Sequence, residues 1–147
     1  ATEASAGWYW QFNRKQGYKH DGSARTPNTT WNSSISENSN WLAINDPCTL
    51  ELGSAWRIPT LTEWTNADAN GSWANPTDAY NSVLKLHNSG YLSPSDGTLD
   101  PRGNGGSNWS TMQGDDTRAW DLNFYTGFCG LTNLSKSYGF SVRCIKD

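Results

Sequence analysis

Two histidines, three cysteines and a scatter of Asp and Asn side chains are the residues of this 147-residue sequence whose types could do chemistry. His20 stands beside Asp21 and Gly22 in a polar stretch and is expected to be a solvated turn residue. His87 stands on an apolar stripe and reads as a packed structural histidine, so neither is assigned as a general base. A thiolate metal site needs closely spaced ligands, and Cys48, Cys129 and Cys144 fit no CxxC or zinc spacing. Asp96, Asp100 and Asn104, or Asp115 and Asp116, offer oxygens of the kind that hold a structural calcium ion. Asp and Asn equally make turns in such segments, and no catalytic residue, metal or other cofactor is assigned. Three cysteines cannot all pair within one chain. One disulfide with one free thiol is the simplest arithmetic, against three reduced thiols in a cytosolic protein.

The composition narrows the function classes further. Leu, Ile, Val and Phe make up about 14% of the chain, below the roughly 20% that warns of disorder. Nine Trp and six Tyr reverse that warning, because each large ring buries on the order of 150–250 Å². A net charge of −3 is too small for a self-repelling chain. No apolar run approaches the roughly 18 residues of a membrane span, and the scattered charges make no basic stripe for nucleic acid. Charged residues at 17% with abundant Asn, Ser, Thr and Gly suit a secreted or surface-displayed domain. The opening Ala-Thr-Glu-Ala-Ser-Ala-Gly has neither initiator Met nor signal-like pattern. It reads as a linker over residues 1–7 of a module belonging to a larger surface protein, followed by one domain over residues 8–147.

The elements that must position a site are two helices among short strands and long loops, an α+β arrangement. Trp8 to Phe12 reads as a first ring-rich strand. Thr60 and Glu63 bracket a capping box that starts a helix at Leu61, running to about Asn70-Gly71. Asn75-Pro76 caps a second helix, whose apolar positions Ala79, Tyr80, Val83, Leu84 and His87 carry it to Asn88-Ser89-Gly90. Tyr91 to Ser107 reads as one irregular loop. In Trp120 to Tyr125, alternation sets Trp120, Leu122 and Phe124 inward and Asp121, Asn123 and Tyr125 outward. Thr126 to Gly139 lacks periodicity and is expected to be an irregular hairpin. Phe140, Val142 and Cys144 alternate as the core face of a last strand.

Several of these segments occur together in a known order: Asp46-Pro47-Cys48, Trp56-Arg57-Ile58-Pro59-Thr60-Leu61-Thr62-Glu63-Trp64, Trp109-Ser110-Thr111, Ala119-Trp120 and Gly139-Phe140-Ser141-Val142-Arg143-Cys144. The string resembles the major paralogous domain (FISUMP) family of bacterial surface and secreted proteins. That family is similar to the formylglycine-generating-enzyme branch of the C-type lectin fold. The resemblance runs from about Trp8 to Asp147. It implies two helices packed on a small twisted antiparallel sheet, chain ends close together, and a Cys48–Cys144 disulfide. The enzyme branch binds copper with a closely spaced cysteine pair late in the domain, whereas Cys129 and Cys144 are far apart. The sugar-binding motifs Glu-Pro-Asn and Trp-Asn-Asp are also missing. The expectation is therefore a ligand-binding domain without catalysis.

The residues expected to meet the ligand are Met112, Asp115, Arg118, Asp121, Asn123, Tyr125, Phe128, Leu131, Asn133 and Tyr138, with rings and Arg as anchors. Phe128, Cys129, Leu131 and Leu134 in a Gly-bearing loop are expected to form an exposed mixed patch, with an exposed Cys129; the alternative is a minor core over the sheet. Tyr125 to Tyr138 also resembles the variable stretch of diversity-generating-retroelement proteins, with Gly127 and Lys136 as framework. Its other positions hold only residue types reachable from an Asn codon. That resemblance implies a protein ligand, while a surface adhesin implies a glycan.

Overall fold

Side chains at the start of each main helix capture the backbone amides that the first turn leaves unpaired. The computed structural model describes residues 3–100 and 102–147. In chain order the elements are α1 (Glu3–Ala6), β1 (Tyr9–Trp10), β2 (Gly17–His20), β3 (Arg25–Thr26), α2 (Pro47–Leu52), β4 (Trp56–Arg57), α3 (Leu61–Gly71), α4 (Pro76–Asn81), β5 (Tyr91–Leu92), β6 (Leu99–Asp100), β7 (Gly105–Gln113), β8 (Arg118–Tyr125), β9 (Phe128–Ser135) and β10 (Ile145–Lys146). The Asp46 carboxylate caps α2 through the Cys48 amide at 2.8 Å and also accepts the Ile58 amide at 2.9 Å. Thr60 and Glu63 close both arms of the capping box on α3. Asn75 accepts the amides of Thr77 and Asp78 at the start of α4.

The strands pair antiparallel as β1-β2-β3, β4-β10, β5-β6 and β7-β8-β9. Isolated bridges at Trp10–Phe140, Leu92–Gly139 and Asn108–Ser141 tie β1, β5 and β7 to the late segment from Gly139 to Ser141. The large sheet is covered on both faces, so the fold is α+β with two cores sharing one wall. On one face Leu122, Phe124, Cys129 and Leu131 meet Trp64, Ala79 and Leu86 from the α3–α4 side. On the other, Trp109, Ala119 and Leu134 meet Phe12, Trp41, Cys48, Ile58 and Phe140. A smaller cluster of Ala6, Tyr9, Tyr18, Trp31 and Leu92 lies beside β1 and β2.

Several expectations are corrected. The second helix stops at Asn81, because the Ser82 hydroxyl turns back onto the Ala79 carbonyl at 2.7 Å and the Arg143 guanidinium holds the Leu84 and Lys85 carbonyls in a turn. Val83, read as a core position, is 96% exposed, and Leu86 takes the core place instead. The loop expected over 91–107 holds the β5-β6 hairpin and the start of β7, and Pro101 lies outside the described residues. The irregular hairpin after Tyr125 is a regular pair, turned through Thr126 and Gly127 at φ 80. The expected last strand breaks into bridges, and Cys144 is exposed at its end. His20 is buried in β2, where its Nδ1 accepts the Gly22 amide. The linker expected over 1–7 gives way to α1, with Ala6 buried; residues 1–2 lie outside the described residues.

Cys48 and Cys144 form a disulfide across 96 residues of sequence. Closing a loop of that length restricts the unfolded chain by about 4–5 kcal/mol in the chain-entropy picture. Replacing both cysteines with Ser is expected to lower the urea-unfolding free energy by about 2–5 kcal/mol, read against the unmodified chain under non-reducing conditions.

Candidate ligand-binding groove

A strand whose two faces are both covered has no outward side until the covering ends, and on β8 it ends at Asn123. Toward its start, this face carries Ala119 and Asp121 beneath the Trp109 core. Toward its end, Asn123 and Tyr125 emerge into a groove of about 330 Å³. Glycines lie opposite both residues on the neighbouring strands. Gly130 of β9 lies opposite Asn123, and Gly105 of β7 lies opposite Tyr125. A Cβ on Gly105 would stand 2.3 Å from the Phe124 carbonyl oxygen, so the position admits no larger residue.

Rings make the walls. Tyr125 is 51% exposed and stacks on Phe128, with centroids 5.0 Å apart and planes 22° apart. Across the groove, Tyr138 stacks on Phe140 at 5.1 Å, and Tyr91 meets Tyr138 edge-on at 5.4 Å. Asp100 pairs with Tyr91 across the β5-β6 hairpin, and Asn104 completes the rim. Burial, and then the neighbouring Asp100 carboxylate, push the Tyr91 phenol up to about 12.

Of the ten expected contact residues, the groove gathers Asn123, Tyr125 and Tyr138, with Phe128 supporting Tyr125 from behind. Met112, Asp115 and Arg118 are exposed at the opposite end of the sheet, about 20 Å away along an eight-residue strand. Three further residues lie away from the groove. Asp121 is 0% exposed and cannot meet a ligand. Leu131 packs against the α3–α4 cluster. Asn133 shares that face and is tucked beneath Gly114, where an added Cβ would meet its amide at 2.3 Å. Tyr91, Asp100, Asn104 and Leu134 are groove residues that the sequence reading missed. The first three reach it only because the chain folds back through β5-β6, and the alternation of Leu134 with Asn133 was the one local signal for the fourth.

Groups that could have served other chemistry are occupied. The Cys129 thiol is half-buried among the helices and donates to Asp68 at 3.6 Å. Burial and the Asp68 carboxylate push it up to about 12, so it is a protonated packing group and not an exposed thiol. Its two potential thiol partners are bonded to each other. Asp96 and Asp115 each bind the amides and hydroxyls of their own turns. Among the described residues no three His, Cys, Asp or Glu side chains converge as metal ligands.

The buried Asp121 accepts a 2.8 Å hydrogen bond from the Thr132 hydroxyl, while its other oxygen has no partner. Burial outweighs the opposing pull of the Thr132 and Ser107 hydroxyls and pushes its carboxyl up to about 7. The folded chain therefore keeps a proton that the unfolded chain releases near pH 4. Stability accordingly falls as pH rises from about 4 to 7, by on the order of 1 kcal/mol per unit. Glu63 and Asp21, both held down at about 2, are ionised throughout that window. Asp121→Asn is expected to flatten this slope in urea-unfolding free energies measured across the window.

A family model described as Domain of unknown function (DUF8237) matches residues 69–145. No curated protein matches the chain. The matched segment begins in α3 and ends in β10, and so contains every residue of the groove. It covers more than half of the sequence, and the chain belongs to the DUF8237 family.

Proposed function

We propose that this chain is a non-catalytic recognition domain of C-type lectin-like architecture, akin to the FISUMP domains, displayed outside the cell and holding its ligand in the groove at the open end of β8. The observation that carries this reading is the meeting of Asn123, Tyr125 and Tyr138 with Tyr91 in a single concave, ring-lined site. Such a site, mostly apolar with a few polar groups, is the usual form of a ligand pocket. Two helices against one face of an antiparallel sheet agree with the lectin-like architecture, as does the meeting of early and late chain at Trp10 and Phe140. The Cys48–Cys144 disulfide is compatible with an extracellular location. No described helix is long and apolar enough to cross a membrane.

The partner is a protein or glycan carried by another cell or surface. Nucleic acid is disfavoured by the net charge of −3 and the lack of a basic stripe. A retroelement-diversified form of the domain would have to vary Tyr125, Phe128 and Tyr138 while sparing Cys129, Leu131 and Leu134, which pack into the two cores. The joint substitution of Tyr125 and Phe128 by Ala tests the reading. With a partner taken from glycan and surface-protein arrays, affinity is expected to fall at least about tenfold, since aromatic anchors dominate such sites. Near-ultraviolet circular dichroism and Tm should be retained. Unchanged affinity in a folded double variant would place the binding face elsewhere.

A further inference from the structure

Resting on the reading of the groove as the ligand site, we infer that its ligand is a neutral carbohydrate, bound without a metal ion by a ring platform and free side-chain amides. The first ground is charge. The lining contains one carboxylate, Asp100, and neither Lys nor Arg. The nearby Arg102 is turned away, donating to the Tyr9 hydroxyl and the His20 carbonyl. A phosphate, sulfate or carboxylate ligand would find no cation here and one opposing charge.

The second ground is the hydrogen-bonding inventory. Among the described residues, the amides of Asn104 and Asn123 and the hydroxyls of Tyr125 and Tyr138 find no hydrogen-bond partner. Each amide presents donors and an acceptor together. A sugar hydroxyl is itself both donor and acceptor and can use that whole set. A quaternary ammonium or a lysine head, the other ligands drawn to rings and a carboxylate, has no use for the amide N–H groups or for the phenols as donors.

The third ground is shape. The groove volume of about 330 Å³ lies at the low end of the roughly 300–1,000 Å³ of small-ligand pockets. It suits one or two sugar rings laid flat. Tyr125 supplies the plate, because the stack on Phe128 fixes its plane. Gly105, opposite Tyr125 in the groove wall, brings no side chain between that plate and the Asn123 amide. The C–H face of a pyranose against Tyr125 sets its equatorial hydroxyls toward Asn123 on one side and Asn104 and Asp100 on the other. Every group needed is protein-borne, so calcium has no part in the contact.

The test is NMR titration of the 15N-labelled intact chain in EDTA with neutral disaccharides of glucose, galactose, mannose and N-acetylglucosamine. Tetramethylammonium and a sulfated disaccharide serve as charged counterparts. At least one neutral disaccharide is expected to shift the Asn123 side-chain amide and the Tyr125 and Tyr138 backbone amides. Asn123→Ala, which spares the rings, should weaken that binding at least about tenfold, with its folding checked by the amide spectrum. The inference is overturned if no neutral disaccharide shifts these resonances, or if binding appears only when calcium replaces EDTA. Should tetramethylammonium or the sulfated sugar alone shift them, the carbohydrate assignment fails while the groove stands as the site. Silence from every probe, with the Tyr125 and Phe128 double variant retaining full partner affinity, removes both.

Discussion

Trp109 is the point on which the rest of the structure hangs. It is 0% exposed, and its backbone and indole bind three distant parts of the chain. The indole N–H donates to the Trp10 carbonyl of β1 at 2.8 Å, and the Trp109 carbonyl accepts the Trp64 indole of α3 at 3.1 Å. Its amide donates to the Ser141 carbonyl at 3.1 Å. The ring itself lies between Phe12 and Phe140. A chain this poor in aliphatic residues needs such junctions, since an indole supplies both large apolar area and a directional bond. The opening strand, the capped helix and the final segment therefore share one anchor.

Burying polar groups between these cores has required two different solutions. Lys136 is fully buried yet keeps partners, donating to the Glu37 carbonyl at 2.6 Å and to the Gln113 side chain at 3.0 Å while lying over the Phe12 ring. It thereby fastens the long polar segment around Glu37 to the end of the sheet, a bond reinforced by Glu37 N to Asp116 O at 2.8 Å. Asp121, whose hydroxyl neighbours Thr132 and Ser107 do not offset its burial, is relieved by holding a proton. One group is satisfied by geometry and the other by titration, which is the ordinary division for charges taken out of water.

What the sequence made legible were features written in a few adjacent residues. The Thr60–Glu63 box, the Asn75-Pro76 cap and the start and end of α3 all lie where local chemistry puts them. The Cys48–Cys144 bridge, implied by family resemblance, is present. Alternation in β8 separated Leu122 and Phe124 from Asn123 and Tyr125 correctly, but set Asp121 outward. A strand sandwiched between two cores loses the polar-apolar contrast on which such reading depends. For the same reason β9, half-buried along its whole length, carried no periodic signal. Asn123, Tyr125 and Tyr138 were legible as exposed rings and amides near the end of the chain. Tyr91, Asp100 and Asn104 were not, because only the folding of the β5-β6 hairpin against the sheet brings them there.

The disulfide also divides the chain mechanically. A pull applied through the two ends passes directly between Cys48 and Cys144, and the covalent loop between them is spared the load. Every groove residue, from Gly90 to Phe140, lies inside that loop. Under tension only the chain before Cys48 and the chain after Cys144 can be drawn out. The walls of the groove can still lose neighbours such as Phe12, but their own connectivity is never stretched. A ligand held there under shear would be gripped by a part of the chain that carries no backbone tension.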